Sequence, residues 1–219
     1  MLSKLREPVN GLTHLVAGAI ALVGLVILVA LGWGQPVKVI SLLIYGISLV
    51  TLFLASGLYH SINATPGVLQ RLRKFDHSAI FLLIAGTYTP ICINLLDGFW
   101  KWGLLGIVWG LALTGIGVKI FYINAPRWAT AGVYILMGWL AIFGIREILA
   151  AMPAGAITWL VAGGLIYTLG AVVYVTKRMD FHPDVFGFHE VWHIFVILGA
   201  LAHFIMIATY IAPVPLGGI

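Results

Sequence analysis

Charge is what this sequence has least of. Asp, Glu, Lys and Arg together make up 9% of the 219 residues, against 62% for apolar types. A water-soluble domain carries about 25% charged residues, so a soluble fold is excluded and a bilayer is the solvent that suits the chain. Acids are the scarcer sign, with 7 Asp and Glu against 12 Lys and Arg. A cation excess points to nucleic acid when it gathers on one soluble face. Here the cations fall between apolar runs, which excludes nucleic acid and points to membrane topology instead. Cysteine occurs once, at Cys92 inside an apolar stretch. No intramolecular disulfide is possible, and a stapled secreted fold is excluded. Internal repeats and low-complexity tracts are absent as well. Lys4 and Arg6 precede an apolar run, as in a signal peptide. That run is too long for one, and Ala17-Gly18-Ala19 lies within it, so it reads as a retained first helix.

What the chain does have is apolar length. A helix crosses the hydrocarbon core with about 20 residues, and seven runs fit, at roughly 11–33, 38–60, 76–97, 102–122, 129–149, 155–176 and 187–211. The expected fold is all-α: residues 1–219 form a single seven-helix integral membrane domain. Stop signals separate the runs: Gly34-Gln35-Pro36, Thr65-Pro66-Gly67, Asp97-Gly98, Asn124-Ala125-Pro126, Met152-Pro153 and His182-Pro183-Asp184. The longest loop, about residues 61–75, is basic and is expected on the membrane surface. Pro90 predicts a kink in the third helix. Trp33, Trp100, Trp102, Trp128 and Trp159 fall near predicted ends, where interfacial belts form.

Lys and Arg set the orientation. The side holding the N-terminus receives Lys4, Arg6, Arg71, Arg73, Lys74, Lys119, Arg127, Lys177 and Arg178. The other side receives Lys38, Lys101 and Arg146. Nine against three predicts a cytoplasmic N-terminus and, after seven spans, an outside C-terminus in a multi-pass plasma-membrane protein.

That topology gathers the polar residues. The second span ends at His60, the third opens at Asp76, and the seventh carries His189 and His193 in its first turns. All four fall at the cytoplasmic ends of three helices. His189 and His193 are four apart and so share a helix face, the spacing one metal ion needs from two imidazoles. His60 adds a third nitrogen, and three histidines with one open position are the pattern of catalytic Zn²⁺. Ser56, one turn before His60, can hydrogen-bond towards the same place, and Asp76 is the candidate proton acceptor. Asn10 and His14 start the first helix near the same side and read as interfacial, with a supporting role at the site as the alternative. His77 and His182 read as interfacial, and His203 as a hydrogen-bonded bundle histidine.

His189-Glu190-Val191-Trp192-His193 also spells H-E-x-x-H, the zinc-protease signature. Leu96-Asp97-Gly98 resembles the L-D-G element of intramembrane site-2 proteases. Asp97, however, lies at the outer end of its helix, about 30 Å from His189, and cannot share an ion with it. Asp76 therefore ranks above Glu190 as the base.

Several stretches match a known family. Ser56-Gly57-Leu58-Tyr59-His60 resembles the S-x-x-x-H element of the PAQR family, which includes bacterial hemolysin-III-type proteins and adiponectin receptors. Leu72 to Ser78, running on to Gly86-Thr87-Tyr88-Thr89-Pro90, resembles its third-helix opening, and His189 to His193 its H-x-x-x-H. Glu7-Pro8-Val9-Asn10-Gly11-Leu12-Thr13-His14 resembles the E-x-x-N-x-x-x-H opener of the hemolysin-III branch. The resemblance implies zinc on His60, His189 and His193, with Asp76 and Ser56 beside it. It also implies kinship with lipid-amide hydrolases. The expected function is thus a zinc-dependent hydrolase of a ceramide-like amide, working in membrane-lipid homeostasis on a lipid from the inner leaflet. Two alternatives stand beside it: a hemolysin-type pore or transporter, and a receptor-like regulator whose zinc staples the helices.

Overall fold

The computed structural model describes residues 5–182 and 185–214, so Pro183 and Asp184 of the last stop signal lie outside the described residues. Among these residues the regular structure is helical, and seven helical spans are long and apolar enough to cross a membrane. They are α1 (Pro8–Leu31), α2 (Pro36–Ser61), α3 (Pro66–Leu95), α4 (Gly98–Phe121), a broken fifth span, α7 (Ala154–Thr176) and α8 (Phe188–Tyr210). The fifth span consists of α5 (Arg127–Gly138), a 3₁₀ segment (Trp139–Gly144) and α6 (Ile145–Ala151). Proline opens α1, α2 and α3 in the first helical turn, where its fixed φ suits a helix and its missing N–H costs nothing.

One stretch departs from the sequence-based expectation. The basic stretch 61–75 is not a surface loop, because α3 begins at Pro66. Thr65-Pro66 is a start signal, and the Leu, Gln, Arg and Lys residues that follow are good helix formers. At 30 residues, α3 is about 45 Å long, roughly 15 Å more than the hydrocarbon core. Its first turns therefore stand at head-group depth on the N-terminal side. α3 runs on as helix through Pro90. A break falls in the fifth span, where Tyr88 of α3 meets it. The Tyr88 hydroxyl donates to the Gly138 carbonyl (2.7 Å) and accepts from the Ala141 N–H (2.8 Å). A neighbouring side chain thus satisfies backbone groups that a loosened helix leaves free inside a membrane.

α1 lies close along α2. Gly11 makes this possible: a Cβ there would stand 3.2 Å from the Ser61 backbone nitrogen. Outward-facing Ile20, Val26, Leu136 and Phe143 are all more than 60% exposed, the apolar girdle expected of a lipid-facing surface. Trp33, Trp102 and Trp128 are exposed near span ends, as interfacial belts require. Lys38, counted above among the far-side loop cations, is instead buried, and its Nζ donates to the Val214 carbonyl.

Candidate metal centre

α2 ends where α8 begins, and this places His60 against His189 and His193. Nitrogens of the three rings all lie within 4.8 Å of one another. The ring centroids are 5.1 Å apart for His60 and His189, and 4.8 Å for each of the other two pairs. Nitrogens on one tetrahedral zinc stand about 3.4 Å apart, so ring shifts of under about 1 Å close the set. His60 and His193 are buried and His189 is half-buried. The Nε2 of His189 and the Nδ1 of His193 are buried with no hydrogen-bond partner. Buried polar atoms are normally paired, and a shared cation would satisfy both. The residues present therefore fit the metal that the spacing implied.

The surroundings hold the rings in place. Glu7, just ahead of α1, takes the Nδ1 of His60 at 2.5 Å, which directs the other ring nitrogen to the centre. The Glu7 backbone N–H also donates to the His60 carbonyl at 2.9 Å. Burial alone would raise the Glu7 carboxyl. The hydrogen bond and charge of His60, with Arg6 and Asn10 adding, reverse this and hold it at about 2. His14 stacks on His193 with centroids 3.9 Å apart, and its Nε2 reaches the His193 carbonyl at 3.5 Å.

Asp76 and Ser56 reach the same place. Asp76 and Ser56 lie among His60, His189 and His193 in the wall of one narrow cavity. Glu190 turns elsewhere. One of its oxygens accepts from the Gly187 N–H (2.8 Å) and the other from Asn10 Nδ2 (2.7 Å). It closes the first turn of α8 as half of a capping box and ties α8 to α1. Asp97 lies beyond the far end of α3, about 32 Å along the helix from Asp76.

Three neighbouring spaces share wall residues at the site. A polar vestibule of about 610 Å³ opens at the N-terminal end of the bundle, with Glu7, His60, Asp76 and His189 in its wall. A neck of about 50 Å³ is lined by the three histidines and Asp76, and also by Leu52, Ile80, Trp192 and Val196. The last four line as well an apolar chamber of about 130 Å³ deeper in the bundle.

The same residues sit in a chain with close relatives. The sequence matches the haemolysin-III-related family over residues 2–204. The chain belongs to that family. It is 37% identical over 213 residues to the hemolysin-3 homolog of Bacillus subtilis, an alignment covering 95% of this chain and 96% of that protein. To hemolysin-3 of Bacillus cereus it is 36% identical over 209 residues, covering 94% and 92%. A more distant similarity, 27% over 178 residues and covering 77% and 69%, is to the human monocyte to macrophage differentiation factor. Membership of this PAQR family, with seven candidate spans, makes the chain a multi-pass plasma-membrane protein.

Four residues of this haemolysin-III-related chain do more than the sequence reading assigned. Glu7 received no role there, yet it contacts His60. Asn10, 1% exposed, braces Glu190, and His14 backs His193. For Asn10 and His14 a signal was present, because positions four apart share a helix face; Glu7, ahead of α1, carried none. His77, read as interfacial, lines both vestibule and neck, because α3 continues past it and other helices cover its flank. His203 matches its reading, with Nε2 3.2 Å from the Leu160 carbonyl.

Proposed function

We propose that this chain is a zinc-dependent hydrolase of membrane-lipid amides of the ceramide type, taking its substrate from the cytoplasmic leaflet. The observation that carries the reading is the neck. One wall holds three histidines and a carboxylate, and the other is made of residues that also line an apolar chamber. A lipid with its acyl chain in the chamber and its polar head in the vestibule would present its amide beside the histidines. His60, His189 and His193 would hold the ion, which when bound supplies a Lewis acid that polarises the amide carbonyl and makes water a better nucleophile near neutral pH. Asp76 takes a proton from the attacking water as its oxygen bonds to the acyl carbon. Asp76 then returns that proton to the amine nitrogen as the C–N bond breaks, leaving a fatty acid and a free amine. Ser56 keeps the Asp76 carboxylate aimed, and Glu7 keeps His60 aimed.

Metal analysis and fatty-acid release test this together on detergent-purified protein. The expected result is about one zinc per chain, lost in His60→Ala and in His189→Ala. Asp76→Asn is expected to keep the zinc and stop fatty-acid release from a short-chain ceramide. Full turnover by Asp76→Asn would remove the assigned role. The relatives' name invites a pore reading, but the chamber on the bundle axis is apolar, which does not suit an ion path. Dye release from liposomes holding the purified chain would revive it.

A further inference from the structure

The vestibule has two unlike walls. On one side, the carboxylates of Glu7, just ahead of α1, and Glu190 of α8 are already engaged. Glu7 pairs with His60 and Arg6, and Glu190 accepts from Gly187 and Asn10. Asp76, on α3, stands between the walls, and Asp180 lies against the Gly187 backbone. On the other side stand cations of α3, α4 and α5. Arg73 and Arg127 line the same space as His60 and His189. Among the described residues, the ion pairs at this end are those of Glu7 with Arg6 and His60; neither Arg73 nor Arg127 has a carboxylate partner.

Among the described residues, each cation is held by groups other than a carboxylate, and Asp76 acts on Arg73 only from beyond ion-pair distance. Arg127 stacks over Tyr174 and Phe188, 5.3 and 5.1 Å from their ring centroids. Stacking fixes the guanidinium plane and leaves its edge N–H groups for a planar or tetrahedral anion. Arg73 reaches a side-chain amide oxygen, Asn124 Oδ1, at 3.4 Å. Behind them Lys119 is 4% exposed, and its Nζ donates to the Thr130 hydroxyl at 2.8 Å. Thr130 itself lines the vestibule. A positive-inside bias accounts for cations such as Arg71, which faces outward. It does not account for cations turned into the cavity that holds the histidines.

We propose that Arg73 and Arg127, with the buried Lys119 behind Thr130 adding its charge, form a binding wall for a phosphate-type lipid head group, so that the lipid handled here is anionic. The substrate part of this rests on the hydrolase reading; the binding part does not. Arg73 is one turn ahead of Asp76 on α3, about 4.5 Å along the axis. A phosphate a few bonds from the scissile amide spans that distance. The projecting first turns of α3 put Arg73 at head-group depth, where such a phosphate lies.

Binding is measured on the zinc-loaded full chain in neutral detergent, by tryptophan fluorescence. The probes are a short-chain ceramide 1-phosphate, the same ceramide without phosphate, and inorganic phosphate. The phosphorylated lipid is expected to bind about 10-fold or more tightly than the neutral one, as two charge-assisted bidentate contacts allow. That preference is expected to vanish in Arg73→Gln/Arg127→Gln with zinc content unchanged. Arg127→Lys, which keeps charge but loses the fork, is expected to fall between and serves if the double variant does not fold. Equal binding of the two lipids by the wild type would overturn the proposal, as would a preference that survives the double variant. Inorganic phosphate binding as tightly as the lipid would overturn the lipid assignment and leave a free-phosphate site. Selective binding with no lipid hydrolysed would sink the hydrolase reading alone. Hydrolysis with no phosphate preference would sink this proposal alone.

Discussion

The vestibule and the chamber share α2, α3, α5, α7 and α8 and hold opposite chemistry. α2 passes from Leu52 in the chamber wall to Ser56 and His60 in two turns. α8 starts at His189 and His193 and ends in buried Met206 and Ile207. The helices are therefore amphipathic along their axes more than around them. A membrane span with an apolar average can still carry a reactive end, and function concentrates where apolar length stops. The comparison teaches where a scissile bond belongs: at the border, within reach of charge on one side and of a dry space on the other.

The largest expected effect erases the polar end. Alanine at His60 or His189 is expected to remove zinc entirely and activity with it; retained stoichiometric zinc in both would mean that the rings do not share an ion. Next comes Asp76→Asn, with fatty-acid release down about 10²- to 10⁴-fold and zinc unchanged. A drop in zinc content instead would make Asp76 a ligand. Glu7→Gln sharpens the comparison from the supporting residues. Zinc affinity in competition with a chelator is expected to weaken about 10- to 100-fold, and no change would demote the contact to simple packing. The apolar end is tested by Ile84→Phe, which adds bulk to the chamber wall. Long-chain amides are expected to lose kcat/KM more than short-chain ones, and a uniform loss would place the acyl chain elsewhere. The smallest effect is Gly11→Ala, which crowds the Ser61 backbone. A destabilisation of about 1–3 kcal/mol is expected from such overpacking, seen as a lower melting temperature; an unchanged one would mean that α1 shifts freely.

The fold was legible because seven apolar runs and their stop signals need no tertiary knowledge. The triad was legible for a related reason: once the spans alternate direction, His60, Asp76, His189 and His193 must meet at one end. Glu7 was not legible, because its contact depends on α1 lying against α2 through Gly11, an approach set by packing rather than pattern. His77 was misplaced because a polar residue near a predicted helix start looks interfacial unless the helix is known to begin ten residues earlier. Thr65-Pro66 held that information, and the basic run after it masked the helix as a loop. The break in the fifth span answers to Tyr88, a residue distant in sequence, and no local signal announces such a partner.

α8 is moored at two points. Near its start, Asn10 and His14 grip Glu190 and the His193 carbonyl. Past its other end, Lys38 holds Val214. A rod tied at both ends resists sliding, so the two candidate ligands it carries are held at one height and rotation. Cutting the tail mooring on one face of the bilayer would loosen the imidazoles on the other.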